Sequence, residues 1–293
     1  MIPAIQQTLV TGASNQIGYF LLPRLLAAGF QVTAYSRQLQ TNTHHIHWQQ
    51  LDLATAPLLI TQPTVLFHIA PLPLLVKLIQ QLPLDAPIKR LITFSSTSCF
   101  TKAQSPDPQE RAIADTLIQA EQAVIKQCQA RNIPWTIFRP TLVYGCERDK
   151  NITFIAKFIQ RFGFFPIIGQ GTGLRQPVHA DDLAIACLQA CFTPTTFNQA
   201  YNLSGARILS YREMVTTIFH YLHQKPRIIS VPSWFFIFLF KTINWHPKYA
   251  HLSYAMTTRM NQDLCFAHDQ ATRDFEYEPR PFNESSLEFS TKN

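Results

Sequence analysis

Two glycines six residues apart, Gly12 and Gly18, stand between an apolar run, Gln7 to Val10, and a helical pattern that begins near Gln16. The first glycine permits a tight turn after a strand. The second, lacking a Cβ, lets the helix press on the strand while the first-turn N–H groups of Gln16 and Ile17 face an anion. This spacing is the outer frame of G-x-x-G-x-x-G, the cradle of a dinucleotide pyrophosphate. Asn15 replaces the middle glycine, so its amide either donates to the phosphate or crowds the backbone approach that glycine leaves open. The other residues with usable chemistry are scattered. Thr97 and Ser98 can hydrogen-bond a substrate carbonyl, Tyr144 can exchange a proton, and Cys99 can act as a nucleophile only with a depressed pKa, for which no local base stands nearby. Each of these hydroxyls has an ordinary packing or turn role as its alternative.

A nucleotide turn needs a strand on each side and a helix between. Leu21, Leu22, Leu25 and Leu26 give that helix an apolar face, Pro23 fits best near its first turns, and Gly29 closes it. The strand Gln31 to Ser36 follows. NAD sites place Asp or Glu at the end of this strand, against the ribose 2′-hydroxyl; here the chain reads Ser36-Arg37, which suits a 2′-phosphate. The expected cofactor is NADP(H) in preference to NAD(H), with an exposed strand-end arginine as the plainer alternative.

The alternation continues through strands at Thr64 to Ala70, Lys89 to Ser96 and Pro134 to Arg139, and helices at Leu74 to Leu82 and Pro108 to Arg131. It predicts an α/β fold, a doubly wound parallel sheet of Rossmann type, with Gly12, Ala70, Ser95 and Pro140 gathered at the carboxyl edge where such sheets bind ligands. Residues 1–150, with contributions from about 175–203, form the predicted dinucleotide-binding domain. Residues 151–293, starting with a helix at Ile152 to Phe162, form a smaller C-terminal substrate lobe.

With 46% hydrophobic and 15% charged residues among 293, the chain is globular. Its net charge of +7 comes from scattered Lys and Arg, which favours anionic small molecules and does not call for nucleic acid. Cysteines at 99, 128, 146, 187, 191 and 265 show no C-x-x-C spacing and read as reduced thiols of a cytoplasmic protein. His44, His45 and His47 lack acidic or thiol partners at ligand spacing, so the expectation is a surface loop and no metal. MIPAIQQ has no signal-peptide pattern, and no apolar run reaches the ~18 to 20 residues that span a bilayer. The run Val231 to Phe240, VPSWFFIFLF, reads either as a buried helix or lobe interface or as a membrane-surface or partner contact.

TGASNQIG, LITFSSTS, WTIFRPTLVYG and GLRQPVHADDLAIA occur in the order seen in extended and atypical short-chain dehydrogenases/reductases, the NAD-dependent epimerase/dehydratase superfamily, which the chain resembles over most of its length. The closing RMNQDLCFAHDQATRDFEYEPRPF resembles the C-terminal lobe of sugar-nucleotide epimerase-like members. The resemblance implies that Gly12, Asn15 and Gly18 hold the pyrophosphate, Asp52 and Leu53 the adenine side, Ala70 the cofactor ribose, and Pro140 to Val143 the nicotinamide side. It implies an Arg175 facing the diphosphate of a sugar-nucleotide-like substrate; pairing with Asp181 or Asp182 is the alternative, and either acid can cap a helix starting near Leu183. It also exposes a gap. Such enzymes use a Ser or Thr with a Tyr-x-x-x-Lys pair, and aligning Glu121 with the family's glutamate puts Ile113 at the Tyr and Leu117 at the Lys, leaving Thr97 as the retained hydroxyl. Two functions follow: an oxidoreductase or epimerase-like enzyme lacking the usual proton pair, or a non-catalytic NADP(H)-binding accessory or sensor protein resembling the epimerase-like subunit of respiratory complex I. The helix Pro108 to Arg131 is where related proteins often form a homodimer.

Overall fold

A computed structural model describes residues 7–43, 45–232 and 259–289. Its first half alternates as β1 (Gln7–Thr11), α1 (Gln16–Ala27), β2 (Gln31–Ser36), β3 (Ile46–Gln50), β4 (Thr64–His68), α2 (Leu72–Gln81), β5 (Ile88–Phe94), a one-turn α3 (Ser98–Thr101), α4 (Pro108–Ala130) and β6 (Trp135–Pro140). The second half holds β7 (Val143–Tyr144), α5 (Ile152–Phe162), β8 (Phe165–Ile168), β9 (Leu174–Arg175), β10 (Val178–His179), α6 (Ala180–Phe192) and β11 (Gln199–Leu203). It closes with β12 (Leu209–Ser210), α7 (Tyr211–Tyr221), β13 (Ile228–Val231) and α8 (Asp269–Phe275).

Seven parallel strands form the main sheet in the order β11-β6-β5-β4-β1-β2-β3. Because successive side chains alternate across a strand, neighbours divide between two cores. Val10, Phe67 and Ile92 pack under α1 and α6 with Leu21, Leu25 and Cys187; Leu9, Leu66 and Leu91 pack under α2 and α4 with Leu75, Ile79 and Val124. A third cluster joins α5, α7 and β8 to Phe282 and Leu287 and forms a smaller lobe. The chain crosses the division at residue 150 a second time: Phe275 and Tyr277, late in sequence, pack with Leu21 and Cys187 in the sheet layer.

Three local expectations are corrected. His47 lies in β3, an edge strand, and not in a loop; its alternation was hidden because β3 pairs only with β2 and stays largely exposed. His44 and most of the VPSWFFIFLF run lie outside the described residues. α1 continues through Pro23 well past its first turns. Neither Asp181 nor Asp182 caps α6: the cap is His179, whose Nδ1 accepts the Asp181 N–H at 3.1 Å.

Those aspartates instead bind the layers together. Asp181 takes Arg24 of α1 at 2.6 and 2.8 Å and Arg280 at 2.7 Å, while buried Asp182 takes Arg280 Nε at 2.7 Å and its backbone N–H at 2.9 Å. Burial pushes the Asp182 carboxyl up, against the pull of Arg280; Asp181, less enclosed and bound by two guanidinium groups, is held down. Arg280→Ala leaves Asp182 buried without its cation and is expected to destabilise by about 3 kcal/mol at pH 7. Asp182 would then ionise in the folded state only above its already raised pKa, so the deficit should shrink as pH falls toward 4 and protonates it. Denaturant melts at both pH values check this; an equal deficit at each would refute it.

Candidate dinucleotide site

The glycine turn sits between β1 and β4, the point where strand order reverses and an open α/β sheet leaves a crevice. Gly12 has φ +76°, and a Cβ there would stand 2.6 Å from the Ala70 backbone nitrogen. A Cβ on Gly18 would meet the Ala13 carbonyl oxygen at 2.0 Å. Both positions therefore require glycine, one for backbone conformation and contact, the other for contact alone.

Asn15 takes neither of its expected roles. Its φ of −79° is open to any residue, and its amide turns inward: Oδ1 accepts the Gly18 N–H at 2.9 Å and Nδ2 donates to the Ile69 carbonyl at 2.5 Å. It is the N-cap of α1 and a tie from that helix to the end of β4. The cap uses one first-turn donor and leaves those of Gln16 and Ile17, which have no partner within a helix, for a ligand.

At the end of β2, Ser36 is buried, donating to Ser14 Oγ at 3.1 Å and accepting from the Gln38 N–H at 3.2 Å. Arg37 is exposed, and its guanidinium makes no ion pair among the described residues. Asp52 is exposed and accepts the Ala54 N–H at 3.0 Å, whereas neighbouring Leu53 is buried. Ala70 lies against Gly12, while Ser95 directly follows β5 and Pro140 ends β6. The Ser95 hydroxyl and the Asn202 side-chain oxygen, both at the carboxyl edge, are buried without a hydrogen-bond partner among the described residues. Val143 begins β7, paired with Val178. A cavity of about 910 Å³ opens at the opposite, amino ends of β1 and β2, among Gln7, Phe30 and Gln31. It does not touch the glycine turn.

Arg148 went unnoticed in the sequence. Its Nη1 donates to the Ser14 carbonyl at 2.8 Å, and its guanidinium lies 5.3 Å from the centre of the Tyr19 ring, so a cation from beyond β7 crosses the glycine turn. The loop behind it holds Gly145, Cys146 and Glu147 at φ of 129°, 45° and 54°. Side chains rarely accept that backbone region, and neither Cys nor Glu signals it in a sequence.

The groups nominated for catalysis are mostly engaged. Thr97 donates its hydroxyl to the Pro140 carbonyl at 3.1 Å. Ser98 is half-buried, and its N–H donates to Ser96 Oγ at 3.1 Å. Tyr144 is 1% exposed, wedged edge-on between His179 and Phe282, and its hydroxyl donates to Ser286 at 2.9 Å; burial pushes its pKa up to about 12. It packs in the smaller lobe with its hydroxyl proton engaged by Ser286. Burial likewise raises the Cys99 thiol, the wrong direction for a nucleophile. His68 and His179, both held near pKa 4 by burial, are neutral at pH 7.

Glu121, bound to Arg139 of β6 at 3.0 and 3.1 Å, locks α4 in register. In that register Ile113 is 45% exposed and Leu117 half-buried. Arg175 pairs with neither Asp181 nor Asp182. Its buried guanidinium donates to the carbonyls of Leu174 and Gln262, each at 2.7 Å, and to that of Arg259. The position expected to meet a diphosphate is filled by backbone oxygen.

Residues 74–204, under half of the chain, match the NAD dependent epimerase/dehydratase family. Over those residues the chain is similar to that family. Two curated relatives are 28% identical over 144 residues, the Arabidopsis thaliana NADH dehydrogenase [ubiquinone] 1 alpha subcomplex subunit 9, mitochondrial, and 24% identical over 255 residues, an uncharacterized Sinorhizobium fredii protein. These alignments span 48% and 78% of this chain but only 34% and 63% of the relatives. Among solved structures, an epimerase of Methanothermobacter thermautotrophicus superposes with TM-score 0.72 at 15% identity, covering 97% of this chain and 90% of that one. MoeE5 in complex with UDP-glucuronic acid and NAD gives 0.71 at 19%, covering 94% of each, and the Thermotoga maritima UDP-glucose 4-epimerase with UDP-glucose gives 0.70 at 14%, covering 96% of each. At these identities the likeness shows the epimerase/dehydratase fold. No helix among the described residues is long and apolar enough to cross a membrane.

Two measurements test the site. Gly12→Ala should abolish nucleotide binding and destabilise by about 2 kcal/mol or more, because the added carbon meets backbone that cannot yield; a variant titrating like wild type would be incompatible with the turn described. Tyr144→Phe should lower stability by about 1 kcal/mol while leaving nucleotide affinity unchanged.

Proposed function

We propose that this chain binds NADP(H) and holds it without the Tyr/Lys proton-transfer step of its relatives, serving as an accessory or sensor protein whose stability or assembly responds to the nucleotide. Arg175 carries the reading. A guanidinium already bonded to three carbonyls has little left to offer a substrate diphosphate, and Ile113 and Leu117, at the positions aligned with Tyr and Lys, cannot move a proton. The tight backbone at Gly12 and Gly18 and the orphaned Ser95 hydroxyl fit a dinucleotide lying along the carboxyl edge. In this reading the N–H groups of Gln16 and Ile17, with Arg148, meet the pyrophosphate, Ser36 and Arg37 the 2′-phosphate, Asp52 and Leu53 the adenine side, Ala70 the ribose, and Pro140 to Val143 the nicotinamide side. The 28% identity to the complex I subunit over 144 residues points the same way.

An oxidoreductase is the second reading, favoured by the Ser95 hydroxyl and Asn202 side-chain oxygen left unpaired among the described residues, with water as proton source and Ser98, and Thr97 on leaving the Pro140 carbonyl, as donors to a substrate carbonyl. Its substrate would be a small anionic, sugar-nucleotide-like molecule. Loss of NADPH absorbance with any member of a carbonyl and sugar-nucleotide panel would establish that reading and end the first.

Calorimetric titration should give tighter binding of NADPH than NADH, and Arg37→Ala should reduce the preference about tenfold by removing a charge-assisted contact. Equal affinities in the wild type would remove the NADP(H) assignment. Absence of binding to both would remove the function.

A further inference from the structure

α5 is apolar on both sides. Ile152, Ile155, Ala156 and Ile159 enter the core of the smaller lobe, yet the outward face carries Phe154 and Phe162, 57% and 51% exposed, with Phe158 between them. Phe158 lies 6.1 Å from Phe154, 4.7 Å from Phe162 and 5.7 Å from Phe164 by ring centres, so four aromatic rings form one outer array. An exposed array of this size marks a contact surface, since water gains nothing by wetting it.

The charge on this face is basic; Asp149, just before the helix, is taken up by the Thr153 N–H at 3.0 Å and the Thr153 hydroxyl at 2.5 Å. Lys157 and Arg161 share the outward face, and the Arg161 guanidinium lies 5.4 Å from the centre of the Phe162 ring. Parallel pairing of β13 with β8 brings Lys225 and Arg227 alongside, the Arg227 carbonyl accepting the Phe165 N–H at 3.0 Å, and leaves Ile229 50% exposed. The described stretches 150–180 and 214–232, which supply α5, β8 and β13, contain no Asp or Glu, while they carry six Lys and Arg. Glu213, at the border, is bonded to Ser210 in a capping box.

The geometry points to this face, α5 with β8 and β13, as a docking surface for an anionic lipid bilayer. The aromatic rings enter the interface between headgroups and acyl chains, and the surrounding Lys and Arg meet lipid phosphates. An acidic protein would satisfy the cations but not four clustered phenylalanines beside long, flexible basic side chains, whereas an interface of lipid headgroup over hydrocarbon matches both at once. The molecule would lie on the membrane without spanning it.

The full chain should co-sediment with vesicles containing about one third phosphatidylglycerol in phosphatidylcholine, should remain in solution with pure phosphatidylcholine, and should be released by about 0.5 M salt. Phe154→Ser with Phe162→Ser, and separately Lys157→Glu with Arg161→Glu, should each lower the bound fraction at least about tenfold while thermal unfolding and nucleotide titration stay as in wild type. A control of equal charge change on the other side of the sheet, Lys77→Glu with Lys126→Glu, should bind as wild type. The proposal fails if the chain ignores anionic vesicles, if the α5 variants bind as well as the control, or if they instead dissolve a self-associated form seen without lipid.

Discussion

Gly12 comes so close to the backbone of Ala70 that no side chain could stand between them, and the rest of the site is arranged around that contact. It brings the carboxyl end of β1 against that of β4 at the reversal of strand order. Asn15 then closes the seam from above, capping α1 with one end of its amide and holding the Ile69 carbonyl with the other. The helix is thereby aimed, and its remaining first-turn donors with it. The same constraint explains why an asparagine can replace the middle glycine: the backbone there is extended, and the side chain turns into the protein and not toward the ligand.

Around this rigid seam the polar side chains that the sequence nominates for chemistry are bonded within the chain. The Thr97 hydroxyl ties α3 to Pro140, Tyr144 plugs the smaller lobe, and Arg175 binds the backbone at Arg259 and Gln262. Each is a polar group that burial would penalise unless bonded, and each has found a partner inside the chain. Arg259 also reaches Glu110 of α4 at 2.7 Å while its carbonyl accepts from Arg175, so this residue ties α4 to β9.

Much of this was legible in the chain. Repeating apolar runs located β2 and α5 to the residue and β1, β4, β5, β6, α1, α2 and α4 to within two, because elements buried on both faces or along one stripe leave strong periodic signatures. β3 escaped because an edge strand paired on one side keeps its polar residues. The His179 cap escaped because two aspartates beside it are better capping residues, and only the arrival of Arg24 and Arg280 from distant segments draws them away.

By itself, the sequence determined the parallel sheet, the glycine turn and the lack of a Tyr/Lys pair, since these depend on residue type and local spacing. What each remaining polar side chain does was decided only by the tertiary structure. Whether Arg175 meets a substrate or a carbonyl, and whether Tyr144 gives a proton or fills a gap, depends on which distant backbone lies within 3 Å. Arg148 reaches the glycine turn only through three consecutive residues at positive φ, a path set by packing and written in no local pattern.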